Sequence, residues 1–190
     1  MSEEGKTGGA KRAAIANEAM IHLDHLYRVA FHLTKHPADA EDLVQETFVR
    51  ALGAYEQFDP GTNMKAWLTK ILYNFFFDHE RRNRRQLSME DKARFETQRP
   101  TAADPNSGPE GRALRKELDD QIIQGLSKIP EEFRTPIVLV DIGDFSYEEV
   151  AAILSCPIGT IRSRLSRGRK LMQQHLTVYV GGEIDKVTRK

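Results

Sequence analysis

Apolar residues recur along most of this chain in steps of three and four, the spacing of helices with one buried face, so the pattern predicts an all-α protein. Leu23, Leu26, Tyr27, Ala30 and Phe31 mark a first helix that ends before Pro37, with His22, His25 and His32 on its polar side. Leu43, Val44, Phe48 and Leu52 mark the next, whose polar side presents Asp42, Gln45, Glu46 and Arg50. Pro37-Ala38-Asp39 opens that helix with an acidic turn suited to the dipole. Phe58 to Asn63 reads as a loop by its proline and glycine, and Thr62 or Asn63 can cap a third helix. This one runs from Met64 through Trp67, Leu68, Ile71, Leu72, Phe75 and Phe76 into an arginine cluster.

Periodicity stops between Ser88 and Gly111, where QRPTAADPNSGPEG gathers proline, glycine and small polar residues too poor in apolar surface to order themselves. It resumes near Arg112, with Leu114, Leu118, Ile122, Ile123 and Leu126 on one face. Pro130 then begins a short helix bearing Phe133 and the run Ile137 to Ile142, whose β-branched residues leave helix and strand both open. The expected organisation is a disordered tail over 1–16, a helical domain over 17–87, a flexible linker over 88–111, a second helical domain over 112–178 and a C-terminal tail over 179–190.

The segment FSYEEVAAILSCPIGTIRSRLSRGRKLM, Phe145 to Met172, reads as a helix-turn-helix. Ser146 and Glu149 have the spacing of a capping box, Ser155-Cys156-Pro157 is the turn, and Pro157 suits the opening of the second helix. On that helix Ile158, Ile161, Leu165 and Met172 share one arc. Thr160, Ser163, Ser166, Arg167 and Lys170 project from the opposite arc, flanked by Arg162, Arg164 and Arg169. No acidic residue lies between Pro157 and Met172, and arginines among small hydroxyl residues are the set that clamps phosphates and reads guanine edges. A solvated or partner-binding basic helix is the alternative.

Twenty-eight Lys and Arg balance 28 Asp and Glu, which would argue against a nucleic-acid binder were the charges evenly spread. They are segregated. Cations concentrate in Arg81, Arg82, Arg84 and Arg85 and from Arg162 to Lys170; Asp39, Glu41, Asp42 and Glu46 form one acidic group, and Glu131, Glu132, Asp141, Asp144, Glu148 and Glu149 another. Aromatic residues beside basic ones on the third helix are the pairing that stacks and threads a single strand. The first residues lack the apolar core of a signal peptide and no run approaches the roughly 18 apolar residues of a membrane span, so a cytoplasmic chain without membrane contact is expected. The lone Cys156 excludes an internal disulfide and reads as a packed turn residue. The three histidines lack a carboxylate or thiolate at ligand spacing, so they are expected to be exposed and to bind no metal, and no cofactor is implied. No nucleophile with a placed base and no phosphate loop appears, so an enzyme is not expected.

Three segments, DAEDLVQETFVRAL over 39–52, NMKAWLTKILYNFFFDHERR over 63–82 and LSKIPEEFRTPIVLVDIGDFSYEEVAAILSCPIGTIRSRLSRGRKLM over 126–172, resemble conserved regions 2 and 4 of extracytoplasmic-function (ECF) sigma factors of bacterial RNA polymerase. The resemblance covers nearly all of the chain outside tail and linker. It implies a transcription initiation factor of the sigma-70 family, active with core RNA polymerase on promoter DNA and engaging both the β′ clamp and the β flap. By the same resemblance Asp42, Gln45 and Glu46 bind the clamp. Phe58, Trp67 and Asn74 would hold a flipped base of the minus-10 element, with Arg81, Arg82, Arg84 and Arg85 on nearby phosphates. In the second domain Arg162, Ser163 and Arg167 would read minus-35 base edges, with Thr160, Arg164 and Lys170 nearer the backbone. PADAEDLVQETFVRA with GTNMKAWL is close to the redox-stress subgroup under zinc-containing anti-sigma factors, which implies such a partner and a stress response. A self-standing regulator whose first domain senses a ligand or dimerises is the rival from another class.

Overall fold

In a computed structural model the chain is described over residues 3–87 and 109–188, with side chains described over 11–82 and 118–178. All regular structure among the described residues is helical: α1 (Glu3–Met20), α2 (Leu23–Thr34), α3 (Pro37–Gly53), α4 (Met64–Leu87), α5 (Pro109–Lys128), α6 (Glu131–Ile137), α7 (Tyr147–Ile153) and α8 (Ile158–Thr188). A short 3-10 turn, Tyr55–Gln57, follows α3, and a π-helical turn, Val138–Ile142, follows α6. Two compact units result, one built around α1 to α4 and one around α5 to α8.

In the first unit α3 packs between α2 and α4, and α1 leans on α3 and α4. Leu26, Val29, Ala30 and Leu33 of α2 meet Leu43, Val44 and Ala51 of α3 and Leu68 and Leu72 of α4 in a core from which water is excluded. Thr47 joins it because its hydroxyl donates to the Leu43 carbonyl, 2.7 Å away in its own helix. Lys35, in the left-handed conformation with φ 65°, closes α2 by donating its N–H to the Phe31 carbonyl at 2.7 Å, and Pro37 starts α3 where no N–H is needed.

Several expectations change here. Residues 3–16 of the expected tail belong to α1, where Ile15 and Ala19 bury themselves and give the helix an anchor. None of the three histidines is exposed; all are half-buried. His32 sits against Phe31, ring centroids 5.7 Å apart, and burial with the nearby Arg28 charge pushes its pKa down to about 4, so the ring is neutral. Residues 88–108 of the expected linker lie outside the described residues, and Pro109 already belongs to α5. The expected C-terminal tail from 179 onward continues α8 as far as Thr188.

In the second unit α8 packs on α5 and α6. Ile123, Leu126, Ile129, Ile137, Val138, Leu139, Val150, Ile161 and Leu165 form its core. The ambiguous run after Ile137 is helical but wider than an α-helix: the Gly143 N–H reaches back five residues to the Val138 carbonyl at 2.8 Å. At Gly168 α8 passes close against α6; a Cβ there would stand 2.9 Å from the Phe133 carbonyl oxygen and 2.7 Å from Ile137 Cδ1.

Candidate nucleic-acid interface

The helix-turn-helix is built as its residues dictate. The Ser146 N–H donates to Glu149 Oε2 at 2.8 Å and the Glu149 N–H donates to Ser146 Oγ at 3.2 Å, a reciprocal capping box that starts α7. Ser155, with φ 50°, turns the chain, the Cys156 N–H closes onto the Ala151 carbonyl, and the Pro157 carbonyl accepts from Thr160 and Ile161 to launch α8. Ile161 and Leu165 then bury completely, which fixes the opposite face outward. Arg162, Ser163, Ser166, Arg167 and Lys170 are exposed on it, whereas Thr160 and Arg164 are half-buried at its edge. The Ser163 hydroxyl donates to the Thr160 carbonyl at 3.0 Å. This is a one-sided cationic surface on a rigid helix, able to pair with phosphates and with base edges of a major groove.

Arg169 behaves differently. Its Nε and Nη2 donate to the two oxygens of Asp141 at 3.1 and 2.5 Å, and its Nη1 donates to the Tyr147 hydroxyl at 3.2 Å. The hydrogen bond to Asp141 raises its already high pKa. A separation of 28 residues hides this tie from the sequence pattern.

In the first unit Asn63 proves to be the cap of α4, its Oδ1 accepting from the Ala66 N–H at 3.1 Å. Trp67 is half-buried and Asn74, two turns on, is exposed. Phe58 is 2% exposed, with its ring 5.1 Å from that of Trp67. In this structure the Phe58 ring backs the indole rather than lying at the surface beside it. Phe77, missed in the sequence because it sat among core aromatics, is 41% exposed and stacks on Tyr73 at 5.9 Å. Arg81 and Arg82 are exposed, while the side chains of Arg84 and Arg85 lie outside the described residues.

On α3 Asp42 and Gln45 are exposed and Glu46 is half-buried. Glu46 accepts from Arg50 Nε at 2.6 Å, and the Arg50 guanidinium lies 4.4 Å over the Phe75 ring of α4. Val49, one turn from Gln45 and Glu46, is an exposed apolar residue on this acidic face, at 64%. Among the described residues no three histidine, cysteine or acidic side chains are placed to hold a metal ion.

Comparison with known proteins bears directly on these surfaces. Residues 19–86 match the family model for sigma-70 region 2, and residues 119–172 the model for sigma-70 region 4. The ECF RNA polymerase sigma factor SigE of Mycolicibacterium smegmatis is 40% identical over 155 residues, which is 82% of this chain and 58% of that protein. EcfG of Rhodopseudomonas palustris is 34% identical over 172 residues, 90% of this chain and 89% of that one. The chain belongs to the ECF sigma factors of the sigma-70 family. A sigma factor is a transcription initiation factor and not an enzyme; it acts with core RNA polymerase on promoter DNA. Among solved structures, the sigma factor RpoE of Bartonella quintana, crystallised with the anti-sigma factor NepR, matches with a TM-score of 0.72 and 34% identity over 85% of this chain and 96% of that one. CnrH, in complex with the cytosolic domain of CnrY, matches at 0.63 with 25% identity, covering 92% of this chain and 94% of its own. No helix among the described residues of this sigma factor is long and apolar enough to cross a membrane.

Proposed function

We propose that this sigma factor divides promoter recognition between its units: α8 reads the minus-35 element, and the surface of α4 around Trp67 and Asn74 captures an unpaired minus-10 base. The observation that carries the reading is the stripe of exposed Arg162, Ser163, Arg167 and Lys170 on a helix whose other face is locked in the core. Arg162, Ser163 and Arg167 meet base edges, and Thr160, Arg164 and Lys170 the backbone. In the first unit the indole stacks on the extruded base while the Asn74 amide donates to and accepts from its edge, offsetting the few kcal/mol lost in unstacking. Phe58 holds the indole in place from behind. Arg81, Arg82, Arg84 and Arg85 supply a salt-sensitive hold on phosphates. Asp42, Gln45 and Glu46 dock on the β′ clamp, with Val49 an apolar point inside that polar patch, and the second unit engages the β flap.

Run-off transcription with core polymerase on a fragment library tests this: new starts sharing two elements at fixed spacing are expected. DNA binding by the protein alone, with core polymerase silent on every fragment, would replace the reading with that of a self-standing regulator.

Control by an anti-sigma factor belongs to the same proposal, since the similar sigma factor RpoE was solved in complex with the anti-sigma factor NepR. The finer form is a zinc-containing, thiol-oxidation-sensitive partner in a stress response, supported by the likeness of residues 37–51 and 61–68 to that subgroup. Because this chain carries one cysteine, the thiol switch must lie in the partner. Co-purification with a zinc-bearing protein, released by oxidant, is the expected result; a zinc-free complex indifferent to oxidant removes the finer form and leaves the rest.

A further inference from the structure

Arg169 sits within the cationic stripe of α8, two residues after Arg167 and one before Lys170, and by sequence it is one more candidate for a DNA phosphate. We propose instead that Arg169 is a positioning residue: its guanidinium, held by Asp141 and Tyr147, sets the angle at which α8 enters the major groove and is withdrawn from the phosphates. The inference rests on the reading of α8 as the minus-35 helix.

The geometry carries it. Asp141 belongs to the π-helical turn, Tyr147 is the first residue of α7, and Arg169 lies in the fourth turn of α8, so one planar fork joins three successive pieces of the motif. Both carboxylate oxygens and the phenol oxygen are engaged, and a bidentate pair resists rotation as a single contact does not. Gly168 is its neighbour, and there the backbone of α8 is pressed against Phe133 and Ile137. Close approach at Gly168 and the fork at the next residue leave the helix little freedom to roll or tilt. The side chains are partly exposed, 46% for Arg169 and 36% for Asp141, and pairs at such exposure contribute only about 0–1 kcal/mol to stability. Orientation rather than stability is therefore what the fork supplies. Pairing with Asp141 also cancels the charge, so Arg169 adds nothing to the counterions that DNA binding releases.

The test uses polymerase holoenzyme reconstituted with the full chain and measures affinity, over a range of salt, for promoter fragments carrying single changes in the minus-35 element. Arg169→Gln and Asp141→Asn are each expected to lower discrimination among the fragments about tenfold, because a tilted helix loses bidentate base contacts. Tyr147→Phe, the mildest change, is expected to lower it less. The salt slope separates positioning from phosphate binding: Lys170→Gln should reduce it by about 0.9, Arg169→Gln should leave it unchanged, and Asp141→Asn should steepen it as Arg169 is released towards the DNA. A slope that falls by about 0.9 in Arg169→Gln would make Arg169 a phosphate contact and overturn the proposal. Full discrimination in Arg169→Lys, which cannot form the fork, would overturn it too. Should the unaltered holoenzyme show no preference among the fragments, the minus-35 reading falls and the proposal with it; a preference that Arg169→Gln leaves intact defeats the proposal alone.

Discussion

The two surfaces proposed to face DNA are held in opposite ways. In the first unit the recognition groups are continuous with the core: Trp67 leans on the buried Phe58, and α4 sends Leu68, Leu72 and Phe76 inward from the same turns that present Trp67 and Asn74. In the second unit the reading side chains stand clear of the core, and the helix that bears them is fixed from behind by Gly168, Ile161 and Leu165. Stability and recognition should therefore fail together in the first unit and separately in the second. On the proposed reading, a half-buried indole suits stacking on an unpaired base, and an exposed stripe suits forked contacts to a closed duplex.

The contrast is broken most severely at Phe58. Phe58→Ala should cost about 3–5 kcal/mol of first-unit stability and abolish promoter opening, read by thermal unfolding and by permanganate reactivity of the minus-10 thymines. A variant that loses opening while melting normally would show that Phe58 touches DNA after all. The next effect belongs to His32. Its folded pKa of about 4 lies below the unfolded value of 6.5, so the unfolded chain binds more protons between those limits and stability is lost as pH falls through 6.5. Lowering the pH from 7.5 to 5 should cost the first unit about 2 kcal/mol, and His32→Leu should flatten the dependence in urea titrations.

In the second unit, Gly168→Ala should destabilise by about 1–3 kcal/mol, since the added methyl meets a carbonyl oxygen. Arg167→Ala should leave the melting temperature within about 0.5 kcal/mol of equivalent stability yet remove about 1–3 kcal/mol of discrimination at one minus-35 base. Equal loss on every sequence would make Arg167 a phosphate contact. The smallest effect is a gain: Ser155→Gly should relieve the left-handed residue between α7 and α8 by about 1 kcal/mol, seen as a higher unfolding midpoint.

What could be read in advance was whatever is local. The Ser146–Glu149 box, Pro37, the Asn63 cap and the two faces of α8 all lie within one or two turns, where side-chain chemistry and helical period decide the outcome. The family regions were legible for the same reason. Depth was not, because it depends on which helices meet: Phe58 and Trp67 carry the same aromatic signal, yet one is sealed and the other half-open. Nor was α1, whose glycines and charges suggested disorder until α3 and α4 gave Ile15 and Ala19 somewhere to bury. The run after Ile137 stayed ambiguous through its β-branched composition, and only its closure at Gly143 shows the wider helical turn.

The Arg50 guanidinium over the Phe75 ring places one more restriction on the first unit. Because it spans α3 and α4 while engaging Glu46, these two helices are not interchangeable cassettes. A chimaera that takes α3 from one relative and α4 from another inherits a compatible join only when positions 50 and 75 travel as a pair. If α8 and α4 carry promoter specificity as proposed, it is more safely transplanted through α8 than through α4.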